Sequence, residues 1–218
     1  AEGSTITKIG VTATVKRVVL QTGTWAAGTA AGRFIVDAVS GGSFSAGAFT
    51  AGVTATCSGA ETQITLLPGG RLDHAVYAFT GLAGNQRIYG ADGVNKGFEF
   101  DGAVYIPITT GMAADAPIHC VAHRNHLFFS FAGSVQHSGI GLPYQWTVVS
   151  GAGEIAAGDT ITGFQVLAGD SSGGALMVLT LTRTWVLYGS SSANWQFSVF
   201  ANDVGAQRWS VQSLGRVL

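Results

Sequence analysis

Between Arg87 and Pro107 the chain places two Asp-Gly pairs among three short apolar runs. Asp92-Gly93 separates Ile88-Tyr89 from the run Phe98 to Phe100, and Asp101-Gly102 separates that run from Val104, Tyr105 and Ile106. Glycine, and to a lesser degree aspartate, accepts the positive φ of hairpin turns. Aromatic and β-branched residues suit a pleated, half-buried surface. Three strands with two reversals form a meander, the unit from which small sheets and propeller blades are built. The expected class is therefore all-β.

Upstream, Ile6, Ile9, Val11, Val15 and Val18 to Leu20 alternate and then run together, predicting one or two strands over residues 4–20. A near-repeat follows. Gly23, Trp25, Gly28 and Gly32 are echoed by Gly42, Phe44, Gly47 and Gly52, nineteen positions on for the aromatic residue. Each copy leads into a β-like run, Arg33 to Asp37 and Val53 to Cys57. The pattern predicts a hairpin module that buries Trp25 or Phe44 against its twin. Its alanines do not make a helix, because glycine every few residues costs about 1 kcal/mol each relative to alanine. Pro68-Gly69-Gly70 is the turn that ends this module.

Two later stretches read as the same hairpin. One is His119 to His123, a turn at Arg124-Asn125, then Leu127 to Phe131. The other is Leu176 to Thr180, a turn near Thr182-Arg183, then Trp185 to Tyr188. Each precedes a strand carrying tryptophan, Tyr144 to Val149 and Asn194 to Phe200. A recurrence of roughly fifty to sixty residues with three or four strands per unit favours propeller blades over a sandwich. The expected organisation is leading strands of the β body at 1–21, a small Gly/Ala-rich β insertion at 22–70, and a propeller-like domain at 71–218, incomplete at its C-terminal end.

Charge narrows the function. The 11 basic and 12 acidic residues of this 218-residue chain are scattered, with net charge -1. Nucleic-acid readers cluster cations against phosphates, and the only adjacent basic pair is Lys16-Arg17. Charged residues are 11% of the chain, well below the usual quarter, and 32 residues are glycine. Two readings fit that surplus of small uncharged residues: surfaces covered by neighbours in an assembly, or a polar uncharged β surface. No apolar run approaches the roughly 20 residues of a membrane helix. Cys57 and Cys120 do not make a disulfide framework and are expected as buried or half-buried thiols of a reducing compartment. The start lacks an initiator methionine and a signal-peptide pattern, and the end stops inside an apolar run. The expectation is a segment of a longer protein.

The densest set of ligand-type residues is His119, Cys120, His123 and His126, with His137 beyond. Three such ligands plus an open position would make a catalytic zinc site. On one strand, however, His119 and His123 share a face and Cys120 and His126 the other, unless the turn at Arg124-Asn125 alters the parity. The competing reading is polar-face, turn and contact residues. Asp92, Asn95, Glu99 and Asp101 form an acidic hairpin without the EF-hand pattern, and turn chemistry explains the Asp and Asn. Ser171, Ser172 and Ser190 to Ser192 belong to no nucleophile motif, and no phosphate loop or dinucleotide fingerprint occurs. Trp25, Trp146, Trp185, Trp195 and Trp209 could stack on sugars but suit core packing better. The expectation is a non-enzyme with no catalytic, cofactor-binding or metal residues.

Residues 85–217 resemble the tail nozzle or tail-tube stabiliser proteins of short-tailed phages and related prophages. The matching runs are YGADGVNKGFEFDG at 89–102, TGMAADAP at 110–117, HRNHLFFSF at 123–131, SVQHSGIGLPYQW at 134–146, GAGEI at 151–155 and VLYGSSSANW at 186–195. Residues 22–60 match less well. The resemblance implies a propeller-bearing virion subunit, assembled in the host cytoplasm, that forms a homo-oligomeric ring, a hexamer, at the distal end of the tail. The ring would bind tail adaptor or portal-proximal proteins, anchor fibres or a central tip, and pass phage DNA without specific contact. A near-neutral wall suits such a conduit. The alternatives are a carbohydrate-binding propeller or adhesin, and a metal-dependent hydrolase built on the histidines.

Overall fold

The computed structural model describes residues 1–50, 54–79, 81, 83–167 and 174–212. Among them the regular structure is all strand, apart from 3-10 turns at Ala83–Asn85 and Val148–Ser150. Ser171, Ser172 and the last six residues lie outside the described residues. The chain divides into two compact units, residues 1–66 and 67–218.

The first unit is one antiparallel sheet of β1 (Thr5–Lys8), β2 (Val11–Thr22), β3 (Ala31–Ser40), β4 (Gly47–Thr50) and β5 (Thr54–Cys57). Its order is β3-β2-β1-β4-β5. Alternation drives β2: Val11, Ala13 and Val15 are buried, and Val19 returns to the core after a register shift between Val15 and Arg17. Val11, Ala13 and Val15 pack with Ile6, Phe44 and Phe49, and Phe34 meets Phe49 edge-on at 5.6 Å. The expected division after residue 21 therefore fails, because β2 runs through it and pairs along β3. Of the two aromatic residues expected to bury, one does. Phe44 is in the core, but Trp25 sits in the β2–β3 turn with 65% exposure. The two glycine-rich copies occupy different structural roles, one a hairpin tip and the other the approach to β4.

The second unit holds three four-stranded antiparallel meanders, each in simple chain order. The first comprises β6 (Asp73–Tyr77), β7 (Arg87–Ala91), β8 (Phe98–Phe100) and β9 (Tyr105–Pro107). The second comprises β10 (Cys120–His123), β11 (His126–Phe131), β12 (Ser134–His137) and β13 (Gly153–Ala156). The third comprises β14 (Ile161–Val166), β15 (Leu176–Thr180), β16 (Thr184–Tyr188) and β17 (Gln196–Ala201). Residues 67–70 belong to this unit and not to the Gly-rich module. Leu67 N donates to Asn95 Oδ1 at 2.7 Å, and Asn95 Nδ2 donates to Leu67 O at 2.9 Å.

The second meander lies between the other two. One face of β11 carries Leu127, Phe129 and Phe131, which pack with Cys120, Tyr89, Ala91, Phe79 and Ile108. The opposite face carries Phe128, which packs with Val135, Ile161, Leu176, Val178 and Leu187. Every residue of β11 is consequently buried. The first strands of the three meanders, β6, β10 and β14, are neighbours through β10.

Three sequence expectations are corrected here. The hairpins taken as equivalent are out of phase: 119–131 supplies the first and second strands of its meander, whereas 176–188 supplies the second and third. The meanders begin at Asp73, Cys120 and Ile161, a shorter recurrence than expected. Nor is Tyr144 to Val149 a strand. Gln145 N donates to Leu142 O and Trp146 Nε1 to Pro143 O, folding this segment into a compact loop before the Val148–Ser150 turn.

Candidate functional site

The histidines were the strongest chemical lead, and the β10–β11 turn decides where they point. Arg124 and Asn125 both adopt positive φ, 49° and 61°, giving a two-residue hairpin loop. His123 is then directly opposite His126, so both share one face, with Val121 and Phe128 beyond them. Cys120 pairs with Phe129 on the other face. The single-strand parity that put His126 beside Cys120 is overturned by this turn. On the next strand His137 is opposite Phe128 and joins the same layer.

There the rings pack as a polar-aromatic layer. His126 and His137 have centroids 5.4 Å apart, and Trp195 from the third meander lies 4.8 Å from the first and 4.6 Å from the second. Phe128 closes the layer at 5.4 Å from Trp195. His126 Nδ1 donates to Ser138 O at 2.6 Å, and His137 Nδ1 donates to the same carbonyl at 3.1 Å. A carbonyl only accepts, so both imidazoles are held as Nδ1–H tautomers. Burial pushes all three histidines toward the neutral form, His123 down to about 4 with help from Arg124 and His126. The Ser138 carbonyl opposes the shift at His126 and His137. Gly153 fits here because a Cβ would come within 2.9 Å of His137 Nε2.

His119 is held apart from this layer. Its Nδ1 donates to Asp73 Oδ2 at 3.0 Å, and Trp209 covers it at 4.7 Å. Arg71 stacks over the same indole at 4.5 Å. Among the described residues, no group of three or more His, Cys, Asp or Glu side chains is arranged to hold a metal ion. Cys120 is a buried free thiol, pushed well above its ordinary pKa by burial, and Cys57 is a half-buried one.

The acidic hairpin separates into turns and a core. Asp92 Oδ1 accepts from the backbone N of Val94 and Asn95, and Asp92 Oδ2 accepts from Asn95 Nδ2 at 2.7 Å. Burial raises the Asp92 pKa, but these hydrogen bonds outweigh it and hold it below the ordinary value. Asp101 Oδ1 likewise accepts from Ala103 and Val104. Glu99 is different: the sequence singled it out only as part of the acidic hairpin, without its partners. It is 2% exposed, between the first and second meanders. Tyr89 Oη donates to its Oε2 at 3.0 Å, Tyr144 Oη donates to the same oxygen, and Arg87 Nε lies 3.7 Å from Oε1. The cross-strand pairing of Tyr89 with Glu99 was the available clue, visible only once the register is known.

Of the tryptophans, Trp146 stacks on Phe129 and Trp185 on Phe197, each within 6° of parallel. Only Trp25 among the five presents most of its ring to solvent. No helix among the described residues is long and apolar enough to cross a membrane. No family model, curated protein or solved structure matches the chain.

Proposed function

We propose that the chain is a structural virion protein, a tail nozzle or tail-tube subunit whose identical copies form a ring that continues the DNA channel. It acts by assembly and by shape. The supporting observation is three consecutive four-stranded meanders whose first strands are neighbours, which is compatible with propeller-like blades. Support also comes from the resemblance over residues 85–217 and from the low, scattered charge, which suits a wall that DNA slides past. The ring is a hexamer at the distal end of the tail, contacting adaptor proteins on one side and fibres or a tip on the other.

Electron microscopy and mass measurement of the purified chain test this. Closed rings with a central channel are the expected result, and a solitary monomer at micromolar concentration overturns it. The exposed Trp25 favours one competing reading, a glycan-binding adhesin. Glycan binding lost on Trp25→Ala, in a chain that forms no ring, would establish that alternative.

A further inference from the structure

The histidine layer between the second and third meanders is unused by the proposed assembly, and its chemistry is independent of that reading. Neutral His126 and His137 spend their Nδ1–H groups on one carbonyl, Ser138 O. His126 Nε2 is buried with no acceptor among the described residues. A proton added there creates a buried donor without a partner, beside Phe128, Trp195 and a second imidazole. The indole returns part of the cost as a cation–π contact, but protonating both rings sets two cations 5.4 Å apart.

Among the described residues, the strands packed around the layer supply no compensating anion. Strands β11, β12, β14, β15, β16 and β17 contain no Asp or Glu. Glu154 on β13 is opposite Gln136, on the face away from His137, and accepts from Ser134. Of the other titratable or charged groups described nearby, His119 on β10 contacts Phe164 of β14 but is paired with Asp73, Arg124 is cationic, and His123 adds positive charge only once protonated. We propose that His126, His137 and Trp195 form an acid-labile latch, whose protonation releases the third meander from the second while the first and second stay packed.

The direction follows from the neutral-favouring burial. Histidines depressed in the packed state contribute no penalty above the unfolded value of 6.5, and stability is lost as pH falls from there toward the packed-state values, about 4 for His123. Below that, these groups remove no more.

Indole NMR of the full chain reads the latch directly, with Trp195 reporting the second–third contact and Trp146 the first–second contact. Trp195→Phe and Trp146→Phe assign the two signals. As pH is lowered from about 7.5 to about 4, the Trp195 signal is expected to change reversibly, with a midpoint about one unit or more above that of Trp146. His126→Gln with His137→Gln should abolish that early step. Loss of both signals at one pH, or an early step that persists in the folded double variant, overturns the proposal. Should the double variant not fold, the order of Trp195 and Trp146 in the unaltered chain decides alone.

Discussion

Two side chains show how position outweighs residue type. Ile9 stands in the β1–β2 turn at φ 45° with 94% exposure, a β-branched residue in left-handed backbone, followed by Gly10 at φ 82°. Such a residue costs roughly 1–2 kcal/mol there, and its exposed side chain recovers nothing by burial. Ile9→Asn should therefore stabilise the first unit by about 1 kcal/mol, read as a higher denaturation midpoint at unchanged slope. Glu99 is the opposite case, a carboxylate buried where the register puts it beside Tyr89 and within reach of Tyr144. Tyr144→Phe removes one hydrogen-bond donor to this buried carboxyl group and should cost about 2 kcal/mol of second-unit stability. A cost below about 0.5 kcal/mol would show that the hydroxyl is dispensable.

The strand β11 joins two cores, and its successive phenylalanines report on different neighbours. Phe129 faces Trp146, and its ring fills the space where a Cβ on Gly97 would come within 2.3 Å. Phe128 faces Trp195 and the third meander. Phe128→Ala and Phe129→Ala should each cost about 3–5 kcal/mol. Tryptophan spectra should separate them, the former perturbing Trp195 and the latter Trp146. That β11 is a strand was legible in Leu127 to Phe131, as were the hairpins at Arg124-Asn125 and Asp101-Gly102, because turn chemistry and apolar runs are local. The phase of the recurrence was not, since two hairpins of similar composition can be different pairs of strands within their sheets. Tyr144 to Val149 looked like a strand by β propensity. Pro143 and the Leu142–Gln145 turn pulled it into a loop, where tertiary packing of Trp146 on Phe129 replaces strand pairing. The histidine layer was legible as residues but not as a site, because a two-residue turn with positive φ at both positions decides which face His126 occupies.

The two units carry separate cores, one built on Ile6, Val15, Phe44 and Phe49 and the other on both faces of β11. Phe49→Ala should accordingly lower one calorimetric transition and leave the transition that Phe128→Ala lowers in place. A single transition displaced equally by both would mean the cores fold as one. In the second unit the meanders are open sheets that end on β9, β13 and β17. Exposed apolar side chains accompany them, Phe200 at 69% and Val204 at 63% beside β17, and Val148 and Val149 before β13. Exposed apolar surface often marks an interaction site, and the proposed ring would give these side chains neighbours. Imaging the purified 218-residue chain by electron microscopy, with its mass measured in solution, is the decisive experiment. Rings of identical subunits around an open channel are expected, and single particles of one chain's mass at micromolar concentration would contradict the assignment.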